Sequence, residues 1–147
     1  MKKIIAILLA LLLFIGTAFS ETVYVLCQPD SFVNVRAFPK KNAQVSGWAE
    51  LGDELETDGV RKNGYVHVYG YEGGAWICAG FVTEDPVTVA TVPTVIQSKG
   101  RVACRRSIKG TRRKWLSDGQ KVVIYAFSDG WSITDKGFIQ TRFLGGF

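Results

Sequence analysis

Short hydrophobic runs, separated by polar and turn-forming residues, follow one another along most of the chain after residue 20. Clear examples are Val23–Leu26, Tyr65–Tyr69 and Lys121–Tyr125, which are rich in β-branched and aromatic residues. Such runs are typical of short strands. The runs are separated by turn-forming pairs, namely Asp58-Gly59, Asn63-Gly64, Gly73-Gly74, Asp118-Gly119 and Asp129-Gly130. No window beyond the first 20 residues has the period of an amphipathic helix, so the pattern predicts an all-β sandwich or barrel.

The strand-like segments occur twice in the same order. Trp48 and Trp115 are each followed, four residues later, by a glycine and, three residues after that, by an aliphatic residue. Both halves end in an aromatic residue, isoleucine, three further residues, phenylalanine and an aliphatic residue. These endings are Trp76-Ile77 with Phe81-Val82, and Phe138-Ile139 with Phe143-Leu144. The chain is therefore predicted to contain two copies of one unit of roughly 50–60 residues.

The segment from residue 85 to residue 98 separates the two units, which are assigned to residues 21–84 and 99–147. It is rich in valine and threonine and contains Pro86 and Pro93. Proline lacks a backbone donor and fixes φ, so the segment is predicted to be an extended linker. An additional strand in this segment is the alternative.

The ordered motifs resemble the bacterial SH3-like domain, usually called SH3b. They are Val33–Arg36, Val45–Gly52, Asn63–Val68, and Ala75–Ile77 with Phe81-Val82. The second unit fits more loosely, because Ala103-Cys104-Arg105 lacks the asparagine of the first motif. The resemblance implies two small SH3-like barrels. It also implies binding rather than catalysis, since members recognise peptidoglycan or peptides and often accompany cell-wall hydrolases.

The first 20 residues have the pattern of a secretion signal. Lys2 and Lys3 precede an uncharged apolar run, Ile4–Ile15, and Ala18-Phe19-Ser20 offers small residues for cleavage after Ser20. An uncleaved membrane anchor is the alternative, but the apolar run is short against the roughly 20 residues that span a bilayer. The mature chain is thus expected outside the cytoplasm, secreted or in the envelope or periplasm, with no membrane span after cleavage.

Three cysteines follow the signal, at positions 27, 78 and 104. Export favours one disulfide bond with one thiol left over. In a barrel of the SH3b type the first and last strands are neighbours, so the resemblance implies a Cys27–Cys78 disulfide. Cys104 takes the place of the inward Val35 and is expected to be a small buried hydrophobe. A fully reduced chain is the alternative.

Charge differs strongly between the two halves. Residues 21–90 contain five basic and ten acidic residues, whereas residues 91–147 contain eleven basic and three acidic residues. The basic residues concentrate at Arg101, Arg105, Arg106, Lys109, Arg112, Arg113 and Lys114. Such a patch suits an anionic polymer. The alternatives are docking against the acidic unit, or a solubilising face.

Aromatic residues occupy equivalent places in the two units. Trp48 and Trp115 are predicted to face outward, because their neighbours Ala49 and Leu116 belong to the inward face of the SH3b pattern. The resemblance places four further aromatics beside a groove that could hold a peptide or a sugar: Tyr65, Trp76, Trp131 and Phe138. Alternatively, these side chains cover an open barrel end or fill the contact between units.

Catalytic chemistry has little support in the sequence. His67 is the only histidine, and the period of its strand puts it opposite Val66 and Val68, toward solvent. Neither metal-ligand spacing nor a phosphate-binding glycine loop is present, so no metal and no cofactor is expected.

The sequence therefore predicts a non-enzymatic binder of a cell-envelope polymer, either peptidoglycan or an anionic glycan. The alternative is a protein-interaction adaptor or a regulator of a secreted cell-wall hydrolase. Nucleic acid is not an expected partner of an exported chain.

Overall fold

The computed structural model describes residues 20–146, so the predicted signal, apart from Ser20, lies outside the described residues. Within that range the regular elements are strands and two single-turn 3₁₀ helices, Ala79–Phe81 and Thr141–Phe143, and the all-β prediction is confirmed. No helix in this part of the chain has the length and apolar character needed to cross a bilayer. The strands are β1 Glu21–Val25, β2 Phe32–Arg36, β3 Val45–Glu50, β4 Glu54–Lys62, β5 Tyr65–Val68, β6 Trp76–Cys78, β7 Val82–Thr83, β8 Thr88–Val95, β9 Val102–Arg105, β10 Arg112–Leu116, β11 Lys121–Ser128, β12 Trp131–Thr134 and β13 Gly137–Gln140.

The strands form two antiparallel sheets with the same topology. The order of the first sheet is β3-β2-β6-β5-β4-β1-β7, and that of the second is β10-β9-β13-β12-β11-β8. The first six strands of one order correspond one to one with the six strands of the other, and among the described residues only β7 has no counterpart strand. The counterpart of the β1–β7 pair Val25–Val82 is the isolated bridge Ile96–Leu144. The duplication seen in the sequence is therefore also a duplication of strand order.

Equivalent turns are built from equivalent residues. Asn63 and Gly64 have φ values of 52° and 78°, and Asp129 and Gly130 have 47° and 71°. Positive φ at both central residues defines the type I′ turn, whose twist matches that of a hairpin and which asparagine, aspartate and glycine tolerate. These turns join β4 to β5 and β11 to β12.

The prediction of an extended linker at residues 85–98 is wrong for most of that segment. Residues 88–95 form β8, which pairs with β11 from Lys121 opposite Val95 to Phe127 opposite Thr88. This strand occupies the place that β1 has beside β4, since each copy needs a strand to complete its sheet. Pro93 is tolerated because β8 is an edge strand, with one side free of ladder hydrogen bonds. The second repeat thus includes residues before 99.

Each sheet curls around its own core. In the first repeat, the edge strands β3 and β7 contribute Ala49 and Val82 to one buried cluster together with Val35, Val66 and Ile77. Side chains from opposite edges meet only if the sheet bends round on itself. Over residues 20–146 the ladders remain open, so the predicted barrels are curled sheets rather than closed hydrogen-bonded rings. The second repeat has a matching core that includes Cys104, Leu116, Ile124 and Ile139.

A third buried cluster joins the two repeats. Leu26 from the first repeat packs with Trp131, Ile133 and Phe138 from the second, and Phe81 lies against this cluster. Backbone bonds reinforce the contact, because the N–H of Ile108 donates to the carbonyl oxygen of Gly80 at 2.8 Å. The three ion pairs among residues 20–146 each lie within one repeat: Arg61–Glu84, His67–Asp58 and Lys136–Asp135. The repeats therefore dock through apolar contacts and not through an acidic surface meeting a basic one.

Candidate functional site

Both predicted outward tryptophans lie on edge strands. Trp48 on β3 is 63% exposed and Trp115 on β10 is 43% exposed, whereas their neighbours Ala49 and Leu116 are fully buried. Successive side chains of a strand point to opposite faces, so burying the small or aliphatic residue sends the tryptophan outward. The predicted orientation of both tryptophans is confirmed.

Trp115 is flanked by two arginines. The guanidinium carbon of Arg101 lies 5.1 Å from the centroid of the Trp115 ring, and that of Arg112 lies 4.6 Å from it. These distances are those of cation–π contacts. Trp48 has a different environment, in which its backbone oxygen accepts a hydrogen bond from the Tyr71 hydroxyl at 3.2 Å. The two equivalent tryptophans therefore present different chemistry.

The predicted basic patch divides into two parts in the structure. Arg112, Arg113 and Lys114 are exposed on β10. Together with Arg101 and Trp115, these residues are called here the basic edge. Arg105 is half-buried, and its Nη1 donates to the carbonyl oxygen of Gly110 at 2.8 Å, which holds the loop before β10. Arg106 lies elsewhere, at the junction of the repeats.

The four aromatic residues predicted to border a groove also fall into two groups in the structure. Tyr65 and Trp76 in the first repeat are half-buried, but Trp131 and Phe138 are only 6% and 3% exposed. The latter two lie in the core between the repeats, so they do not form an open groove on the second repeat. Leu26 and Phe81 of the first repeat cover them, which is the alternative that the sequence left open.

His67 belongs to a small aromatic cluster on the first repeat. Its ring centroid is 4.9 Å from that of Trp76 and 5.4 Å from that of Tyr69. Its Nδ1 lies 2.8 Å from Oδ2 of Asp58. Val66 and Val68 are buried as predicted, but His67 is half-buried against its neighbours instead of facing open solvent.

The carboxylate of Asp58 is held by this cluster. Partial burial by itself would raise its pKa, but the N–H of Val60 and the His67 ring outweigh that effect and lower the pKa. Asp58 and His67 are two potential metal ligands, but no third one joins them within the described part of the chain. In residues 20–146 no group of three His, Cys, Asp or Glu side chains is placed to hold a metal ion.

A cavity of about 550 Å³ opens between the two repeats. We call it the junction cavity. Three cations line it, Arg36 and Lys41 from the first repeat and Arg106 from the second. Its aromatic lining residues are Phe32, Tyr65, Phe81 and Phe138. Sequence reasoning missed this site, because no local pattern indicates which surfaces of the two repeats meet.

All three cysteines among the described residues are free thiols, so the predicted Cys27–Cys78 disulfide is not formed in this structure. Cys27 and Cys78 nonetheless line the same junction cavity. Burial, with help from Asp53 and Glu50, raises the pKa of the Cys27 thiol to about 11 and keeps it protonated. Cys104 is fully buried, as predicted, and donates to the carbonyl oxygen of Lys136 at 2.9 Å.

Comparison with known proteins identifies no family for this chain. No protein-family model matches the chain, and no curated protein matches its sequence. Among solved structures, the chain is similar to NlpC1 from Trichomonas vaginalis at 18% identity and a TM-score of 0.39, over 90% of this chain and 48% of that one. It is similar to NlpC2 from the same organism at 17% identity and a TM-score of 0.40, over 90% and 50%. The chain thus spans about half the length of either protein, and a likeness at these scores supports no statement about function.

Proposed function

We propose that this chain is an exported, non-catalytic protein that binds an anionic polymer of the cell envelope through the basic edge. The polymer is peptidoglycan carrying acidic groups or an anionic glycan. One observation carries this proposal: Arg112, Arg113 and Lys114 follow one another on an exposed edge strand, beside Trp115 with its flanking Arg101.

The cations of the basic edge are available to a ligand. In the part of the chain that the structure describes, none of them forms an ion pair with a carboxylate. The repeat that carries them has eleven basic and three acidic residues over positions 91–147. Charges of one sign on a single edge attract a polyanion over about 10 Å at 0.1 M salt.

Trp115 adds a contact that charge alone does not give. Its ring is 43% exposed and is oriented by two guanidinium groups. An exposed aromatic ring offers an apolar face on which a sugar can pack, while its cationic neighbours bind the acidic substituents. The basic edge therefore combines attraction for charge with a surface for carbohydrate.

The docking of the repeats leaves the basic edge uncovered. The junction is built from Leu26, Phe81, Trp131, Ile133 and Phe138, all outside β10. The acidic residues of the first repeat consequently form no ion pair with β10 among residues 20–146. An extended ligand can reach the edge without the repeats moving apart.

Co-sedimentation with purified cell walls over a salt series tests the proposal. We expect binding at 20 mM salt and release as salt rises, because binding that depends on charge falls with ionic strength. The triple variant Arg112→Gln, Arg113→Gln, Lys114→Gln should lose most of the sedimented protein.

The matched control removes the same charge elsewhere. The variant Lys40→Gln, Lys62→Gln, Lys121→Gln changes three exposed lysines outside the basic edge. It should sediment like the unaltered protein. Equal losses in both triple variants, or binding that does not respond to salt, would contradict a specific basic edge.

A second function, a protein-interaction adaptor, is favoured by a different observation. In repeat two, Trp131 and Phe138 are covered by protein, whereas their equivalents in repeat one, Tyr65 and Trp76, remain half-exposed. If this surface binds a secreted hydrolase, a crosslinked complex of fixed stoichiometry should form with the unaltered chain and be lost with Trp76→Ala. A Trp48→Ala chain, which changes an exposed tryptophan on the edge strand β3, is the control.

A further inference from the structure

The junction cavity has the size and lining of a small-molecule site. Its volume of about 550 Å³ lies inside the range of roughly 300–1,000 Å³ typical of ligand pockets. Both repeats supply its wall, so the cavity exists only because the repeats dock as they do. It shares no residue with the basic edge.

The charged residues of the junction cavity are all cations. Arg36, Lys41 and Arg106 line it, and no aspartate or glutamate is among its lining residues, all of which belong to the described chain. Arg36 is held in place, because its Nη1 donates to the carbonyl oxygen of Ala43 at 2.9 Å. A guanidinium has five N–H donors, so Arg36 keeps donors for a ligand after this bond is made.

The remaining lining is largely apolar and aromatic. Phe81 and Phe138 meet in the wall with their ring centroids 5.8 Å apart, and Phe32 is well exposed at its rim. Asn34 and the Tyr65 side chain add polar groups to the lining. A ligand that satisfies all of these groups has an anionic head and an apolar body.

We propose that the junction cavity binds a small organic carboxylate with an aryl or alkyl body. The carboxylate lies between the Arg36 and Arg106 guanidinium groups, which match its planar, two-oxygen geometry, and Lys41 adds charge. The apolar body packs on Phe32, Phe81 and Phe138. A free organic acid and the carboxyl end of a peptide share this chemistry. The site goes beyond the polymer binding proposed for the basic edge.

Cys78 provides a built-in reporter of occupancy. It is half-buried in the cavity wall, whereas Cys104 is buried in the separate core of the second repeat. A bound ligand should slow alkylation of Cys78 by iodoacetamide and leave the rate at Cys104 unchanged. Peptide mass spectrometry measures the two rates in the same sample.

The experiment titrates the full chain with 3-phenylpropionate by calorimetry and by Cys78 alkylation. We expect saturable binding, and none with the neutral isostere 3-phenylpropanol. Arg106→Gln should weaken the affinity roughly tenfold, as for loss of one hydrogen bond to a charged group, and Lys41→Gln should weaken it less. Arg113→Gln, on the basic edge, should leave it unchanged.

Two further probes separate the sources of the carboxylate. A tripeptide ending in phenylalanine is compared with its C-terminal amide and with 3-phenylpropionate. If the tripeptide with a free C-terminal carboxylate binds more tightly than both, the natural ligand is the carboxyl end of a peptide. Phenyl phosphate is the anion control. Tighter binding of the phosphate, or equal binding of 3-phenylpropanol, would overturn the assignment.

Carboxylate binding in the junction cavity and polymer binding at the basic edge can each fail without the other. Arg106→Gln should shift the protection of Cys78 to roughly tenfold higher ligand concentration while wall sedimentation persists. The triple variant of the basic edge should lose wall sedimentation and leave the protection of Cys78 unchanged. Arg106 is exposed and forms no ion pair within residues 20–146, so its replacement is not expected to unfold the chain. Unchanged affinity in a folded Arg106→Gln protein contradicts the proposal.

Discussion

The ring of Phe81 meets the ring of Phe138 edge to face, with 5.8 Å between centroids and an interplanar angle of 65°. Phe81 ends the 3₁₀ turn that leads into β7, and Phe138 lies in β13 of the other repeat. This contact is one of those that hold the two repeats together. It also forms part of the wall of the junction cavity.

Replacing Phe138 with alanine should destabilise the whole chain. Phe138 is 3% exposed and packs with Trp131 and Leu26, so its removal leaves a void in the core between the repeats. We expect a loss of about 3–5 kcal/mol in the free energy of unfolding, measured by urea denaturation. Trp48→Ala removes an exposed aromatic ring and should cost about 0.5 kcal/mol or less. Similar losses in both variants would show that the junction core does not support the fold.

Replacing Gly80 with alanine should strain the junction. A Cβ at this position would lie 2.8 Å from the Ser107 hydroxyl oxygen and 2.9 Å from its Cβ. The expected cost is about 1–3 kcal/mol by urea denaturation, as for other overpacked sites. Gly100→Ala is the control, since a Cβ there meets open space. Adding Ser107→Gly to Gly80→Ala should restore part of the lost stability, and an absence of rescue would contradict the steric explanation.

Trp115 and Trp48 should differ in wall binding although they are equivalent in position. Only the Trp115 ring carries flanking guanidinium groups, those of Arg101 and Arg112. Trp115→Ala should weaken sedimentation with cell walls several-fold, in line with loss of an aromatic contact of about 1 kcal/mol. Trp48→Ala should leave it unchanged. If the two variants weaken binding equally, the aromatic contact is not specific to the basic edge.

The Cys27 thiol should make stability fall at alkaline pH. Its pKa is about 11 in the folded chain against an ordinary value of 9.0, so the unfolded chain loses this proton first as pH rises. The contribution is therefore intact below pH 9 and is lost progressively between pH 9 and pH 11. Urea midpoints measured from pH 8 to 11 should fall less steeply for Cys27→Ala than for the unaltered chain. Parallel curves would contradict the assignment.

Much of the local structure could be predicted from the sequence. Short hydrophobic runs located most strands, and Asn63-Gly64 and Asp129-Gly130 located hairpin turns, because both signals depend on neighbouring residues alone. The turn predicted at Asp58-Gly59 is wrong, since these residues lie within β4, where its pairing with β5 shifts register. The SH3b pattern put Ala49 and Leu116 inside and the two tryptophans outside, and their burial agrees. The order of motifs showed the duplication, and strand topology repeats it.

Residues 88–95 show where local reasoning failed. Pro93, together with Pro86 just before the segment, favoured a linker, and only the pairing of β8 with β11 makes the segment an edge strand. The position of β1 in the first repeat was the available signal, because a second copy of the unit requires an equivalent strand.

The sequence by itself determined most strands and turns, since each is encoded within a few neighbouring residues. It also determined the twofold duplication and the uneven charge, which follow from a comparison of the two halves. Only the tertiary structure decided that Trp131 and Phe138 lie under the first repeat while Tyr65 and Trp76 stay half-exposed. It alone brought Arg36 and Arg106 to one cavity. The physical reason is that two similar units carry similar apolar surfaces, and which of these surfaces meet depends on the fit of side chains far apart in the chain.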